Sequence, residues 1–262
     1  MNIDLSGRRA VVTGGSRGIG AAVVTALAQR NARVAFCARD DAGLEALAAR
    51  LKGCSAGVVP FVADMADPDQ ISKFLDVVEA KFGQVDILVN NVGQSPSRNF
   101  LRMNHQDWAE TFQVNLFAAV QCTQRLVPAM RAQRWGRVIM IASAAAKYPD
   151  AAIIDYAASK AAMIATARAL ARKYAADSVL INSVLPGLID TSMWERASAE
   201  IAATTDRTRE EVMEQMARTV PLGRFGTAPE VADLVLFLVS EYAAYLTGAT
   251  IDLDGGRGDH IF

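Results

Sequence analysis

The chain has 262 residues, 52% hydrophobic and 21% charged, and this composition is typical of an ordered globular protein rather than a disordered or disulfide-dense one. Its 27 Lys and Arg residues nearly balance its 28 Asp and Glu residues, for a formal net charge of −1, which argues against a nucleic-acid partner or an anionic membrane surface. Because α/β folds often reach this length as one unit, we expect residues 1–262 to form a single domain.

The three cysteines, Cys37, Cys54 and Cys122, are widely spaced, and none lies in a pattern typical of a disulfide framework or a metal site. We therefore expect a cytoplasmic protein without a bound metal, in which Cys37 and Cys122 are small buried hydrophobic residues. The first residues contain no apolar segment typical of a signal peptide, and no apolar run approaches the length of a membrane span. We expect no association with a membrane.

Short apolar runs alternate with longer amphipathic stretches along the chain. The runs predict strands buried on both faces at 10–12, 34–36, 58–62, 87–89, 138–141 and 179–185, followed by a last strand at 250–253. The amphipathic stretches predict helices at 18–30, 41–51, 68–82, 106–131, 155–176 and 229–239. This alternation predicts an α/β protein with a doubly wound parallel sheet of about seven strands and helices on both faces.

Residues 187–226 interrupt the alternation. The segment carries a mixed-charge amphipathic stretch from Trp194 to Arg218. Long connections in compact domains are usually functional, so we expect a partly helical flap over the carboxyl ends of the strands. A solvated surface excursion is the alternative.

A glycine-rich turn follows the first predicted strand. Residues 13–20 read Thr-Gly-Gly-Ser-Arg-Gly-Ile-Gly, and a predicted helix follows directly. Glycines at 14, 18 and 20 permit a tight turn and a close approach of backbone amides to a pyrophosphate, which the partial positive charge at the helix start also favours. The turn predicts a dinucleotide site between strand and helix.

The residues after the second strand bear on which dinucleotide binds. A carboxylate at the strand end would bind the ribose 2′-hydroxyl and repel a 2′-phosphate, but the residue there is Ala38. Arg39 follows at once and Arg17 lies in the glycine turn, so that two guanidinium groups converge on a 2′-phosphate. We expect NADPH rather than NADH. In the alternative, both arginines are solvated and Asp40 binds the ribose, which keeps NADH possible.

Four polar residues form a candidate catalytic set. Tyr156 and Lys160 are four residues apart and share one face of the predicted helix, where a nearby ammonium can lower the pKa of the phenol toward neutrality. Ser143 follows the strand at 138–141, at the edge where open α/β sheets bind ligands, and its hydroxyl suits a reacting oxygen. Asn115 is a polar amide among apolar neighbours, so we expect its side chain to form hydrogen bonds with backbone groups or with a water chain.

In these residues the chain resembles the short-chain dehydrogenase/reductase family, whose fold is of the Rossmann type. The matching motifs are Thr13-Gly14-xxx-Gly18-Ile19-Gly20, Asn90-Asn91-Val92-Gly93, Asn115, Ser143, Tyr156-xxx-Lys160, Asn182-xxx-Pro186-Gly187 and Asp254-Gly255-Gly256. They occur in the family's order and cover nearly the whole chain. Val92 is a departure, because the family usually has alanine there.

The resemblance implies that Tyr156 protonates a ketone or deprotonates an alcohol while a hydride passes from or to the nicotinamide. Lys160 would lower the pKa of Tyr156 and bind the nicotinamide ribose, Ser143 would orient the reacting oxygen, and Asn115 would hold a proton-relay water. The cofactor-binding set is then Gly14, Ser16, Arg17, Gly18, Ile19, Gly20, Arg39, Asp64, Met65, Asn91, Gly93, Tyr156, Lys160, Pro186, Gly187, Leu188 and Thr191.

The substrate is less constrained by these motifs. Candidate substrate contacts are Gln94, Ser143, Ala145, Ile189, Met193 and Trp194, a mostly apolar set that suggests a small or medium, largely apolar ketone. A 3-oxoacyl carrier protein reductase is the first alternative: Arg134 matches one basic position of those enzymes, but Asp177 stands where a second would be expected. An NAD-linked catabolic alcohol dehydrogenase and a non-catalytic nucleotide-sensing or scaffold protein are the others. The resemblance also implies a homo-oligomer, either a dimer or a tetramer.

Overall fold

A computed structural model describes residues 2–258, without the side chains of Met193, Arg196 and Glu200. Short β-rich runs form the strands, and the amphipathic stretches between them form the helices. In chain order the elements are β1 (Arg9–Thr13), α1 (Gly18–Gln29), β2 (Arg33–Ala38), α2 (Asp41–Arg50), β3 (Val58–Val62), α3 (Pro68–Phe82), β4 (Ile87–Asn90), α4 (His105–Phe112), α5 (Ala118–Ala132), β5 (Gly136–Ile141), α6 (Ile154–Tyr174), β6 (Val179–Pro186), β7 (Ile189–Asp190), α7 (Ser192–Thr204), α8 (Arg209–Ala217), β8 (Gly226–Thr227), α9 (Ala228–Val239) and β9 (Thr250–Leu253).

Seven strands form one sheet in the order β3-β2-β1-β4-β5-β6-β9, and every recorded pairing in it is parallel. The chain runs outward from β1 to β3 and then returns to place β4 on the other side of β1. This reversal opens a crevice at the carboxyl ends of β1 and β4, where ligands bind in open α/β sheets. The predicted fold class is confirmed.

Two apolar layers cover the sheet. One layer includes Ile71 of α3, Leu126 of α5 and Met163 of α6, and the other includes Leu27 of α1 and Val235 of α9. All five side chains are nearly or fully buried. Burial of their large apolar surface is the main stabilising contribution to such a fold.

Cys37 and Cys122 belong to the first of these layers and are fully buried, as predicted. Burial raises the pKa of the Cys37 thiol to about 12 and also raises that of Cys122. Both thiols therefore stay protonated and behave as small hydrophobic groups.

The prediction that 58–62 is buried on both faces is wrong. Its residues are partly exposed, and Val62 is 58% exposed. The reason is position: β3 is an edge strand that pairs only with β2 in the seven-stranded sheet. The strand β9 lies at the opposite edge and is also partly exposed.

The predicted helix 106–131 is not regular throughout. A π-helical turn over Gln113–Phe117 separates α4 from α5. Such turns insert an extra residue into a helix and are frequent at functional sites. Asn115 lies in the middle of this turn and is fully buried.

The predicted flap consists of β7, α7, α8 and β8. The strands β7 and β8 form a separate two-stranded parallel sheet, and α7 packs against both α8 and β7. The segment thus contains regular elements of its own. Among residues 2–258, no helix has the length and apolar character needed to cross a membrane.

Candidate active site

The glycine turn between β1 and α1 has the shape that the sequence predicts. Gly14 and Gly18 have φ of 68° and 54°, in the left-handed region that favours glycine. A Cβ at Gly20 would lie 2.1 Å from the carbonyl oxygen of Gly14, so that no side chain fits there. No side chain caps the first amides of α1 in the part of the chain that is described. These amides suit an anionic group.

Asn91 holds this turn in place from the neighbouring strand. Its side-chain amide donates to the carbonyl oxygens of Thr13 and Gly14, at 2.9 and 3.1 Å. The Thr13 hydroxyl in turn accepts from the backbone amides of Asn91 and Val92, at 3.0 and 3.2 Å. The side-chain amide of Asn91 therefore fixes the shape of the turn, a contact that only the fold reveals.

The first turn of α2 meets the glycine turn. A Cβ on Gly43 would lie 2.5 Å from a carboxylate oxygen of Asp40 and 3.2 Å from Cβ of Ser16. Arg17 and Arg39 are both exposed, and neither forms an ion pair with any residue that the structure describes. Their guanidinium groups remain available for an added anion.

Asp64 and Met65 follow β3, at the same edge of the sheet. Asp64 accepts a hydrogen bond from the backbone amide of Ala66 at 2.9 Å, and its own amide donates to Gln70 at 2.9 Å. Met65 is buried, with its sulfur 4.0 Å from that of Cys37. Asp64 is partly exposed, so its carboxylate is accessible to a ligand.

Tyr156 and Lys160 lie on the first two turns of α6 and are both buried. The ammonium of Lys160 donates to the carbonyl oxygen of Ile141 at 2.9 Å and lies 5.9 Å from the centroid of the Tyr156 ring. Ser143, two residues beyond β5, lies close enough to the phenol of Tyr156 to lower its pKa, and the Ser143 hydroxyl accepts from the backbone amide of Ala145 at 3.1 Å. The structure thus brings these three predicted catalytic residues together.

The protein alone does not lower the pKa of Tyr156. Burial raises it, and the nearby Ser143 hydroxyl offsets only part of this effect. Burial also lowers the pKa of Lys160 from 10.5 to about 8. Lys160 is not among the groups that shift the phenol pKa, so the expected lowering by its ammonium does not occur in this structure, where desolvation dominates.

Asn115 is satisfied by backbone and side-chain groups, one of the two predicted outcomes. Its carbonyl oxygen accepts from the amide of Gln94 at 2.9 Å, and its amide donates to the carbonyl of Gln94 at 3.0 Å and the hydroxyl of Ser159 at 3.1 Å. A Cβ on Gly93 would lie 3.2 Å from Nζ of Lys160 and 3.3 Å from Oδ1 of Asn115. The ammonium and the amide oxygen therefore flank one point, next to Gly93.

The loop after β6 passes close to the glycine turn. A Cβ on Gly18 would lie 3.4 Å from the methyl group of Thr191, the residue that precedes α7. A Cβ on Gly187 would lie 2.8 Å from Cα of Asp254, because the residue that follows β9 packs against the Pro186-Gly187 turn. Leu188 is buried beside them, and its carbonyl accepts from Gly226 at 2.8 Å.

The predicted substrate contacts separate into different environments. Gln94 and Ala145 are partly exposed, and Trp194 packs edge-on against Phe225 with ring centroids 5.5 Å apart. Ile189 is 4% exposed and packs with the core layer of α1 and α9 instead of facing solvent. The Met193 side chain is outside the described residues.

Two groups near the site were not selected from the sequence. Phe225 packs against Trp194, and Arg98 forms an ion pair with Asp155, the residue before Tyr156. Nothing local in the sequence marks these contacts. Between residues 2 and 258, no group of three or more His, Cys, Asp or Glu residues is placed to hold a metal ion.

A family model described as short chain dehydrogenase matches residues 8–202. The chain belongs to the short-chain dehydrogenase family. Its predicted reaction class, oxidoreduction between an alcohol and a carbonyl group, agrees with this membership.

Individual relatives match over nearly the whole chain. The 3-oxoacyl-[acyl-carrier-protein] reductase of Escherichia coli strain K12 is 35% identical over 254 residues, which are 97% of this chain and 98% of the relative. That of Thermotoga maritima is 34% identical over 252 residues, 96% of this chain and 98% of the relative.

Solved structures agree with the fold. L-sorbose reductase from Gluconobacter frateurii, complexed with NADPH and L-sorbose, has a TM-score of 0.95 and 30% identity, with full coverage of both chains. A variant of actinorhodin polyketide ketoreductase with NADPH has a TM-score of 0.92 and 27% identity, covering 97% of this chain and 98% of that one.

The lowered pKa of Lys160 predicts a pH-dependent stability. A lysine that binds its proton less tightly in the folded than in the unfolded state stabilises the fold above pH 10.5, and this contribution is lost as the pH falls through about 8. We expect the free energy of unfolding of the wild type, relative to Lys160→Met, to rise between these values by up to about 3 kcal/mol. Urea unfolding at pH 7.5, 8.5 and 9.5 measures it, and a pH-independent difference would contradict the prediction.

Proposed function

We propose that this protein reduces a ketone to a secondary alcohol with NADPH. The observation that carries the proposal is the convergence of Tyr156, Ser143, Lys160 and Asn115 beside the glycine turn. A proton donor, a donor for the reacting oxygen and a buried ammonium then adjoin a site for a dinucleotide. The NADPH complexes of two structural neighbours support the choice of cofactor.

The residues present fit a phosphorylated dinucleotide. Gly14, Gly18 and Gly20 carry no side chains that would block the turn, and the first amides of α1 have no side-chain cap, which suits the binding of a pyrophosphate. Arg17 and Arg39 supply two exposed guanidinium groups without ion-pair partners among residues 2–258, which suits a 2′-phosphate. The bound cofactor supplies a hydride to the carbonyl carbon. NADH remains the alternative if Asp40 binds the ribose.

Side chains of this protein are proposed to carry out the proton transfer. The Ser143 hydroxyl is proposed to hold the substrate oxygen, and the phenol of Tyr156 to give that oxygen its proton during reduction. The phenolate left behind is stabilised by the nearby ammonium of Lys160. Oδ1 of Asn115 keeps a second lone pair next to Gly93, where a water can pass a proton to Lys160.

Each remaining cofactor residue has a proposed position. Asp64 and Met65 lie at the adenine end, Asn91 and Gly93 along the adenosine side, and the segment from Pro186 to Thr191 on the carboxamide side. The closeness of Thr191 to Gly18 supports these positions, because it brings the loop after β6 next to the glycine turn. The whole chain is proposed to act as one domain, with 187–226 as its substrate flap.

A small or medium, largely apolar ketone is the proposed substrate. The supporting observation is the apolar contact between Trp194 of the flap and Phe225. Reduction of a 3-oxoacyl carrier protein is a second candidate, favoured by the full-length relatives at 34–35% identity. Against it, Asp177 forms an ion pair with Arg131 at 2.6 Å, and Arg134 donates to the carbonyl of Ala176, so that this surface offers little free positive charge.

A substrate panel separates these candidates. Simple ketones, a ketose and a 3-oxoacyl thioester, free and on carrier protein, would each be assayed with NADPH and NADH at 340 nm. A carrier-dependent gain in kcat/KM would identify the second candidate. No turnover with any of them would contradict the proposed activity.

Tyr156 is the residue on which the proposed proton transfer depends. We expect Tyr156→Phe to lower kcat by about a hundredfold to ten-thousandfold, because the proton donor is lost while the ring remains. The Kd for NADPH should change by less than about twofold, since the hydroxyl is not its main contact. The control is Tyr242→Phe, a change at an exposed tyrosine. Comparable kcat values for the two variants would remove the proton-donor role from Tyr156.

The choice between the two nicotinamide dinucleotides depends on Arg39. We expect Arg39→Ala to raise the Kd for NADPH by about tenfold and to leave that for NADH nearly unchanged, because a charge-assisted hydrogen bond to the 2′-phosphate is lost. Fluorescence titration measures both constants. Arg30→Ala, at the far end of α1, is the matched control. Equal losses for both dinucleotides would argue for solvated arginines.

We also propose a homo-oligomer, a dimer or a tetramer. Ala161 and Ala165 are exposed on α6, and Phe117 between α4 and α5 is 50% exposed, which leaves an apolar surface on these helices. Ala165→Arg should therefore reduce the oligomer mass measured by light scattering, whereas Ala49→Arg on α2 should not. An unchanged mass for Ala165→Arg would place the interface elsewhere.

A further inference from the structure

Two layers of polar contacts join the same three segments of the chain. The charged layer consists of Arg98, Thr111 and Asp155; the amide layer consists of Gln94, Asn115 and Ser159. Each residue of the amide layer is four positions from its counterpart in the charged layer. The segment after β4, the helix α4 with its π turn, and the start of α6 are thus connected twice.

The charged layer is tightly connected. Nη1 of Arg98 donates to Oδ2 of Asp155 at 2.6 Å and to the hydroxyl of Thr111 at 2.8 Å. That hydroxyl donates to the same carboxylate oxygen at 2.6 Å. Arg98 also contacts Asp107 at 3.3 Å and Glu110 at 3.7 Å on α4. Thr111 and Asp155 are essentially inaccessible to solvent.

Stability alone does not account for this arrangement. The second oxygen of Asp155, Oδ1, is buried without a hydrogen-bond partner among residues 2–258. A buried carboxylate carries a large desolvation cost, and apolar residues of similar volume often replace a buried ion pair without loss of stability. What an apolar pair would not reproduce is the fixed direction of the two hydrogen bonds that meet at Oδ2 of Asp155.

That point lies next to the proposed catalytic groups along each segment. Asp155 immediately precedes Tyr156, and Asn115 follows one turn after Thr111. Arg98 ends the segment that begins with Gly93 and Gln94, and its backbone amide donates to the carbonyl of Ala152 at 3.4 Å, just before α6. The charged layer is therefore placed to set the relative positions of the phenol, the amide and the Gly93 backbone.

We propose that Arg98, Thr111 and Asp155 are positioning residues, which act through the amide layer and the first turn of α6 on Tyr156 and Asn115. The inference rests on the proposed function, because it concerns the geometry of the same proton donor. Displacement of a reacting group by about 1 Å is enough to lower a rate by about a hundredfold. A partial loosening of this layer should have a smaller, measurable effect.

The test uses Thr111, where a single hydroxyl is removed without changing side-chain shape. We expect Thr111→Val to lower kcat by about tenfold, with KM and the Kd for NADPH within about twofold of the wild type. Thr111→Ser keeps the hydroxyl and should retain kcat within about twofold. Equal kcat values for the two variants, or losses in both that follow their thermal stability, would overturn the proposal.

Hydrogen exchange keeps the test independent of the reaction. In Thr111→Val, amides of 153–160 should exchange faster than in Thr111→Ser, while those of 10–30 stay unchanged. If the wild-type protein reduces no carbonyl compound, the proposed function fails, and the exchange result alone then tests whether the charged layer holds the start of α6 in place. Unchanged exchange at 153–160 would overturn the proposal that it does.

The double variant Arg98→Met, Asp155→Leu distinguishes a positioning role of the charged layer from a stabilising one. It should keep thermal stability near that of the wild type and still lower kcat by about tenfold. Full kcat in this variant would show that the charged layer is not needed and would overturn the proposal. If the double variant does not fold, the comparison of Thr111→Val with Thr111→Ser tests the positioning role.

Discussion

The buried ammonium of Lys160 is the constraint on which the candidate site depends. It is 2% exposed, and its recorded hydrogen bond goes to a neutral backbone carbonyl, that of Ile141. Desolvation lowers its pKa to about 8 and also raises the pKa of Tyr156 beside it. The first turns of α6 thus hold an ammonium that loses its proton more easily than in water and a phenol that keeps its proton more tightly. The surrounding elements must keep them from relaxing toward solvent.

The sheet order provides this support. Because the sheet is parallel and the strand order reverses at β1 and β4, the glycine turn, Asn91 and Ser143 all follow the carboxyl ends of neighbouring strands at one edge. Asn91 then holds the glycine turn by its amide, while Ser143 reaches the phenol of Tyr156. The proposed cofactor end and the proposed proton-donating end of the site therefore follow strands of the same sheet, which favours a preorganised geometry.

The regular elements could be predicted because their signals are local. A helix over 68–82 begins with an Asp67 cap and Pro68, and the structure gives Pro68–Phe82 with Asp67 accepting from two backbone amides. Apolar runs predicted the strands equally well, but burial of Val58–Val62 was overestimated. An apolar run does not encode whether its strand lies inside the sheet or at its edge, because the strand order depends on long-range pairing.

The sequence by itself determined the glycine turn, the four-residue spacing of Tyr156 and Lys160 and the alternation of strands and helices, since each depends on backbone conformation over a few residues. Only the tertiary structure decided the π turn around Asn115, the burial that shifts both pKa values, and the contact of Arg98 with Asp155 across 57 positions of the chain. Desolvation and the direction of a hydrogen bond belong to groups that meet only after the chain has folded.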